Sequence, residues 1–276
     1  ENARLMSVVT APVQGGPRIQ DITYEYDDNA NMTLRSFNDP IWGYQETFSY
    51  DELNRLEGHV LKIKGKPDTV LGYKYDAIGN IINKPGIVGN MVYGGRARNA
   101  GPHAVNRANG SLYSYDKTGN MTAGGGRIIK YTPFDKPSRI SKGQQVINLR
   151  YTPSQERAVK QTKKTTIHYV GKIFEYEKDN KFVNIESLRF YIYGPEGAVA
   201  MVERMRDPNG AWGDKHFYYF QQDHLGSAQL TTDQNGRVLK RRNYDPYGRL
   251  QFENGAMGAG WTKTSRGFTG LEHDGE

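Results

Sequence analysis

One short motif recurs along this chain and constrains its fold more than any other feature. It consists of an aromatic residue, any residue, Tyr and Asp, and most copies run into an Asn-rich turn. The copies are Tyr24-Glu-Tyr26-Asp27, Phe48-Ser-Tyr50-Asp51, Tyr73-Lys-Tyr75-Asp76 and Tyr113-Ser-Tyr115-Asp116, and the last two continue to Gly79-Asn80 and Gly119-Asn120. Because each repeated unit packs mainly against its neighbours, the repeat indicates how the whole chain is built.

Each copy predicts a β-hairpin. Before the first turn, Ile22-Thr-Tyr24-Glu-Tyr26 alternates apolar and polar residues, the period of a strand with one buried face. Asp and Asn favour the turn because their side chains bond nearby backbone, and Gly119 supplies a positive φ. Residues 32–35 then return as a second strand. We therefore predict an all-β fold with very little helix, an antiparallel ribbon of repeated β-hairpins.

The spacing of the repeated motif divides the chain into two regions. Tyr26, Tyr50 and Tyr75 are evenly spaced, and the longer step to Tyr115 leaves room for a degenerate unit around residues 91–95. Further strand pairs are predicted for residues 127–131 with 138–140, 146–151 with 157–161, and 165–170 with 172–177. From about residue 187 the segments become more individual. We predict a hairpin array over residues 1–186 and a distinct region over residues 187–276.

The composition argues against several classes of function. The chain has no cysteine, which excludes a disulfide framework and thiolate chemistry. No apolar run approaches the length of a membrane span. The six histidines are scattered rather than set at ligand spacing, and no Gly-rich phosphate cradle is present. We therefore predict neither a metal site nor a cofactor.

The net charge of +7 is concentrated locally. One basic cluster runs from Lys136 to Lys172 and a second from Arg237 to Arg249. Such clusters are typical of solvated strand faces and of sheet edges protected by lysine. They are also typical of surfaces that contact nucleic acid, an anionic glycan or an acidic partner. The sequence leaves both interpretations open.

One string contains the residue types of a hydrolase triad. It is Asp223-His224-Leu225-Gly226-Ser227. Neighbouring residues on a strand point to opposite faces, so Asp223 could not orient His224 there, and no G-x-S-x-G elbow surrounds Ser227. The simpler interpretation is a strand end that runs into a Gly turn. We predict no enzymatic activity; an activity lost on alanine substitution of these residues would revive the enzyme hypothesis.

These strings resemble a known family. The pattern Tyr-x-Tyr-Asp-x-x-Gly-Asn is similar to the YD repeat of Rhs proteins, and residues 193–194, 218–227, 231–238, 244–249 and 267–274 resemble the Rhs-associated core. Residues 100–105 and 113–122 are similar to chains related to the C subunit of insecticidal Tc toxins. The structural repeat positions are Tyr24, Tyr26, Asp27, Tyr50, Asp51, Tyr73, Tyr75, Asp76, Gly79, Tyr113, Tyr115, Asp116 and Gly119. The core-motif positions are Asp223, His224, Leu225, Gly226, Ser227, Tyr244, Asp245 and Gly248.

The resemblance implies a ribbon that curves into part of a hollow shell around a variable C-terminal toxin domain. In the family, the core closes with a self-cleaving aspartyl-protease segment, D-P-x-G-x-L. The chain ends before such a segment, and Asp245-Pro-Tyr-Gly248 is a different, upstream element, so no catalytic residue is carried over. We expect an incomplete working unit that relies on protein partners.

The leading hypothesis is therefore a non-enzymatic scaffold, part of an Rhs/YD-repeat shell that encloses the effector of an exported bacterial toxin. Its partners would be further repeats of the parent chain, the enclosed toxin domain and a delivery complex. The alternative is a carbohydrate- or nucleic-acid-binding module that uses its basic and aromatic surface.

Overall fold

The computed structural model describes residues 4–11, 15–182, 185–195, 197–254 and 267–270. In this part of the chain, the regular structure is almost entirely antiparallel β-strand. The described helices are two short 3₁₀ segments, Arg96–Arg98 and Phe268–Gly270, and neither is long enough to cross a membrane. The predicted all-β, antiparallel hairpin fold is confirmed.

The strands follow one another as successive hairpins. The first six are β1 (Ser7–Thr10), β2 (Gln20–Tyr26), β3 (Met32–Phe37), β4 (Tyr44–Tyr50), β5 (Leu56–Ile63) and β6 (Thr69–Gly72). The next are β7 (Lys74–Tyr75), β8 (Ile81–Asn83), β9 (Val92–Gly95), β10 (Ala100–Ala108), β11 (Ser111–Leu112), β12 (Ser114–Tyr115) and β13 (Met121–Gly124). Then come β14 (Arg127–Tyr131), β15 (Pro137–Lys142), β16 (Gln145–Tyr151), β17 (Arg157–Gln161), β18 (Thr165–Val170) and β19 (Phe174–Asp179). The last are β20 (Glu186–Gly194), β21 (Gly197–Arg206), β22 (Trp212–Gln222), β23 (Ala228–Asp233), β24 (Val238–Tyr244) and β25 (Leu250–Asn254).

The chain packs as two compact units. Unit 1 comprises residues 1–70, 190–203 and 215–276, and unit 2 comprises residues 71–189 and 204–214. These units are defined by packing, whereas the predicted boundary at residue 186 separates two kinds of sequence. That boundary stays a prediction.

Unit 1 has a core between two sets of strands. Strands β1 to β5 pair in chain order, and so do β20 to β25. The core joins Ile22, Tyr24, Phe37, Tyr44 and Leu61 of the first set to Leu230 of the second. A second apolar cluster lies within β20 to β24: Tyr191, Ala198, Met201, Tyr218, Phe220, Ala228 and Leu239. Unit 1 therefore buries apolar surface face to face, as packed sheets do.

Unit 2 is built from smaller sheets and a longer ribbon. Strands β7 and β8 form a pair, β9 to β11 form a sheet in the order β11-β10-β9, and β12 to β19 follow in chain order. Its predicted strand pairs are confirmed: β14 pairs with β15, β16 with β17, and β18 with β19. Its buried apolar side chains are Leu71, Tyr73, Met91, Ala100, Ala108, Ile147 and Leu149.

One turn geometry closes hairpins in both units. At the first turn, the Asp27 N–H donates to the Asn31 carbonyl (2.9 Å) and the Ala30 N–H donates to the Asp27 carbonyl (3.0 Å). An Asp27 carboxylate oxygen also accepts the Asn31 N–H at 2.8 Å. The same pair of backbone hydrogen bonds recurs in nine further turns of the described chain. Their first residues are Asp51, Asp76, Asp116, Thr132, Thr152, Asp207, Asp223, Asp233 and Asp245. The YD turns and the core-motif turns are therefore one structural element.

At five of these turns, the Tyr that precedes the turn links its hairpin to an earlier part of the chain. Tyr50 ends β4, and its hydroxyl donates to the carbonyl of Met32, the first residue of β3, at 2.8 Å. Equivalent bonds join Tyr26 to Leu5, Tyr115 to Val105, Tyr131 to Met121 and Tyr151 to Pro137. Within β9, which precedes none of these turns, Tyr93 makes a similar bond to the Ile81 carbonyl. A half-buried ring with one polar tip suits this role. These bonds tie successive hairpins into a ribbon.

Removing one such bond should weaken the fold by a measurable amount. We expect Tyr50→Phe to lower the free energy of unfolding by about 1 kcal/mol, because the Met32 carbonyl loses its hydroxyl partner. Urea denaturation followed by tyrosine fluorescence measures this. Tyr219→Phe is the matched control, since Tyr219 is 43% exposed; it should change stability by less than about 0.5 kcal/mol. Equal losses in both variants would contradict the bridging role.

The fourth residue of the turn adopts a left-handed conformation, with φ of 67° at Ala30 and 88° at Gly79. Residues with a Cβ are strained in this region, whereas glycine is not. We expect Ala30→Gly to raise the free energy of unfolding by up to about 1 kcal/mol, and Gly79→Ala to lower it by about as much. The space around the Gly79 Cα is open, so no steric clash contributes to the effect of Gly79→Ala. Chemical denaturation measures both, and a loss of stability in Ala30→Gly would contradict the assignment.

Candidate functional site

The core-motif residues assemble in unit 1, where their carboxylates build turns. One Asp223 carboxylate oxygen accepts the backbone N–H groups of Leu225 and Ser227, each at 2.9 Å. The Asp245 carboxylate accepts those of Tyr247 (3.0 Å) and Arg249 (2.9 Å) in the same way. Both side chains are therefore committed to holding backbone in place.

A short downstream segment, residues 267–270, packs on these two turns. The Thr269 N–H donates to the Ser227 hydroxyl oxygen at 3.1 Å, and the Phe268 ring lies 5.6 Å from the Tyr244 ring. A Cβ on Gly248 would lie 2.6 Å from the Phe268 ring, so only glycine permits this approach. Three of the core-motif strings are thus brought together. The rest of the third string, residues 271–274, lies outside the described residues.

A cavity of about 310 Å³ lies beside this assembly. Its wall is mostly apolar and aromatic, with charged groups from both turns. The lining residues are Met32, Arg35, Phe48, Tyr50, Leu56, Asp223, His224, Leu225, Tyr244, Asp245, Pro246, Tyr247 and Phe268. The structure therefore joins one repeat tyrosine, Tyr50, to five of the core-motif positions. A space of this size and lining could hold an apolar or aromatic group.

The candidate triad is not arranged for hydrolysis. His224 packs edge-on against the Tyr24 ring at 5.2 Å, and its Nδ1 is buried without a hydrogen-bond partner among the described residues. Within that part of the chain, no hydrogen bond joins His224 to Asp223 or to Ser227. Burial lowers the pKa of His224, against the opposing effect of the Asp223 charge. This geometry fits a strand end and turn; whether the chain has any activity stays a prediction.

A buried ion pair in unit 1 was not predicted from the sequence. Cross-strand register places Tyr24, Arg35, Glu46 and Leu61 in one row across β2 to β5. The Arg35 Nε donates to a Glu46 carboxylate oxygen at 2.6 Å, and another guanidinium nitrogen lies 3.8 Å from Asp223. Arg35 thereby connects the first set of strands to the candidate site.

Glu46 is the centre of this buried polar cluster. It is fully buried, and its carboxylate accepts hydrogen bonds from His59 (2.9 Å), Asn243 (3.3 Å) and Gln251 (3.3 Å). Burial disfavours its charge, but the Arg35 cation and the His59 hydrogen bond outweigh burial and hold the pKa of Glu46 below its ordinary value. Because these partners support the charge, the cluster can persist inside the core.

A period-two pattern could have revealed this pair. In β4, Glu46 projects on the same side of the strand as Tyr44 and Phe48, and in β3, Arg35 projects on the same side as Phe37. Alternation therefore places both charges on the buried face. No group of three or more His, Asp or Glu side chains among the described residues could hold a metal ion.

Comparison with known proteins finds the same fold in solved TcdB2-TccC3 structures. No family model matches the chain. A curated relative, the tRNA3(Ser)-specific nuclease WapA of Bacillus spizizenii, is 24% identical over 211 residues, which cover 72% of this chain and 8% of the relative. The crystal structure of TcdB2-TccC3-Cdc42 matches 99% of this chain with a TM-score of 0.80 and 16% identity. The crystal structure of TcdB2-TccC3 without its hypervariable C-terminal region matches 99% with a TM-score of 0.74 and 15% identity.

These likenesses confirm, at the level of fold, the resemblance to Rhs/YD-repeat proteins and Tc toxin chains. The chain spans 16% of the length of the TcdB2-TccC3-Cdc42 chain and 15% of the chain without the hypervariable region. It therefore corresponds to a limited part of much larger proteins, and their activities are not thereby assigned to it.

The buried cluster predicts a defined pH dependence. The folded-state pKa of Glu46 lies below its ordinary value of 4.5, so its stabilising contribution is complete above pH 4.5 and is lost as pH falls through the folded-state pKa. We expect Glu46→Gln to lower the free energy of unfolding at pH 7 by about 3–5 kcal/mol, because Arg35 loses its principal counter-charge. The loss should shrink below pH 4.5.

Denaturant titrations at several pH values measure this effect. Glu57→Gln on the neighbouring strand β5 is the control, because Glu57 is exposed. It should leave both stability and its pH profile nearly unchanged. A similar small effect for both variants would contradict the role assigned to Glu46.

Proposed function

We propose that this chain is a non-enzymatic scaffold, a segment of an Rhs-type shell that encloses the C-terminal effector of an exported bacterial toxin. One observation carries the proposal. The match to TcdB2-TccC3 extends over 99% of this chain even where the hypervariable C-terminal region is missing from that structure. The likeness therefore rests on the part of those proteins that excludes the hypervariable region, which supports a scaffold role.

The hydrogen bonds and strand order within each unit also support a scaffold role rather than an enzymatic one. Turn carboxylates such as Asp223 and Asp245 accept backbone N–H groups, so they are engaged in structure. Successive hairpins contact mainly their neighbours in sequence, a quasi-one-dimensional arrangement that extends by adding repeats. Such a ribbon enlarges a surface without requiring one large core.

The relative named as a tRNA nuclease fits the same proposal. This chain covers only 8% of that protein, so the nuclease activity of the relative can belong to another part of its sequence. We place the effector outside the present segment, and we propose that the scaffold is exported with it. The protein partners that we propose are therefore further repeats of the parent chain and the effector.

Protection of the effector tests the proposal. In the full-length gene product, we expect the part that follows this segment to resist thermolysin until the denaturant concentration at which the segment itself unfolds, because the shell excludes the protease. The same C-terminal part expressed alone is the control and should be cleaved in mild conditions. Cleavage of both at equal rates would contradict containment.

Alanine substitutions separate the scaffold from the enzyme hypothesis. Asp223→Ala should destabilise the protein at least as much as Asp233→Ala, since both remove the acceptor of two backbone N–H groups in equivalent turns and Asp223 also lies 3.8 Å from the buried Arg35. His224→Ala and Ser227→Ala should remove no hydrolytic activity. A peptidase or esterase activity of the purified chain that these two substitutions abolish would overturn the non-enzymatic assignment.

A further inference from the structure

One face of unit 2 carries cations without nearby carboxylates. Strands β14 to β18 contain no Asp or Glu, although they hold several Lys and Arg residues. Cross-strand partners in an antiparallel sheet project on the same side, so the register decides which of these residues share a face.

Two rows of partners define this surface. Lys130, Arg139 and Asn148 are paired across β14 to β16, and the row continues through Gln161 and Thr166 to Lys178. In the second row, Arg150, Val159, His168 and Tyr176 are paired across β16 to β19. Arg150 lies two residues beyond Asn148 on β16, so both rows lie on one side, which we call the basic face.

The cations of this face are available to a ligand. Lys130, Arg139 and Arg150 are exposed, and no carboxylate among the described residues forms an ion pair with them. The acidic residues of β19 project from the other side, because Glu175 and Glu177 pair with Tyr169 and Ile167.

At its end on β19, the basic face is bounded by Glu186. Tyr176 is hydrogen-bonded to Glu186, and the Arg206 guanidinium lies 3.3 Å from that carboxylate. The negative charge at the boundary is therefore already paired.

An aromatic pair stands on the same face. The rings of His168 and Tyr176 are stacked, with centroids 5.9 Å apart and planes inclined by 25°, and His168 is exposed. Diagonal neighbours on a sheet lie about 7–8 Å apart, so the cations lie within reach of consecutive charges on a flexible polyanion. Cations that follow a backbone, together with rings that accept bases, are the arrangement that binds single-stranded nucleic acid.

We propose that the basic face of unit 2 binds single-stranded nucleic acid. Lys130, Arg139 and Arg150 contact phosphates, and the exposed His168 ring stacks on a base. A duplex keeps its bases paired and unavailable to the ring, so the single strand fits this surface better. This activity goes beyond the scaffold role and does not depend on it.

Anisotropy of a labelled oligo-deoxythymidine of about 20 nucleotides, titrated with the purified chain at several salt concentrations, tests the proposal. We expect Arg139→Glu/Arg150→Glu to weaken binding at least ~10-fold and to reduce the slope of log K against log salt by about 1.4, the value for two lost phosphate contacts. His168→Ala should weaken binding by about 5- to 100-fold and leave the slope unchanged, because it removes stacking rather than charge.

The control variant for Arg139→Glu/Arg150→Glu carries the same change in net charge at a site outside the basic face. Lys64→Glu/Lys66→Glu alters exposed lysines between β5 and β6 of unit 1, and its affinity should remain within about threefold of the original chain. Thermal unfolding confirms that each variant is folded.

Three results would overturn the proposal. The first is absence of salt-dependent binding, and the second is an equal loss in the control variant, which would indicate a non-specific charge effect. The third is heparin binding that matches oligonucleotide binding and ignores His168→Ala, which would assign the face to an anionic glycan instead.

Discussion

The hydrogen bonds from turn backbone to an Asp carboxylate are the interaction on which the rest of this structure depends. A tight reversal leaves backbone N–H groups without ladder partners, and buried or half-buried donors must be satisfied. Asp51 accepts two of them, from Leu53 and Arg55. In the turn that begins at Thr152, the Thr152 hydroxyl oxygen replaces the carboxylate as acceptor and accepts the Glu156 N–H at 3.1 Å. At Asp27, Asp51 and Asp116 the chain reverses in this way, and the hydroxyl of the Tyr before the turn donates to a backbone carbonyl of an earlier segment.

These hydrogen bonds give a structural role to a residue string that has the composition of a catalytic triad. A carboxylate whose oxygen already accepts two backbone N–H groups is a poor orienting group for a histidine, because reorientation would leave both donors unpaired. Asp223 is in this position, and the Ser227 hydroxyl is likewise engaged by Thr269. The resemblance to a triad follows from the chemistry of turns, which favours Asp, Gly and Ser for reasons unrelated to hydrolysis.

Local patterns predicted the local part of the fold well. The hairpins, their strand pairs in β14 to β19 and the scarcity of helix follow from alternation and turn residues, which act over a few positions. The buried cluster of unit 1 could not be predicted in this way, since Glu46 meets Asn243 across 197 positions and Arg35 meets Tyr244 across 209. Such contacts depend on how one set of strands packs on another, and sequence alternation specifies only that Arg35 and Glu46 point inward.

The register of the strands bears on the two interpretations of the basic cluster that the sequence leaves open. Edge protection places lysine on strands whose backbone is unpaired on one side. Strands β15 and β16 are paired on both sides, so edge protection does not explain Arg139 and Arg150. Like charges gathered on one sheet face repel one another and oppose folding, and no described carboxylate pairs with these two. The proposed single-stranded nucleic acid would neutralise these charges, which edge protection does not explain.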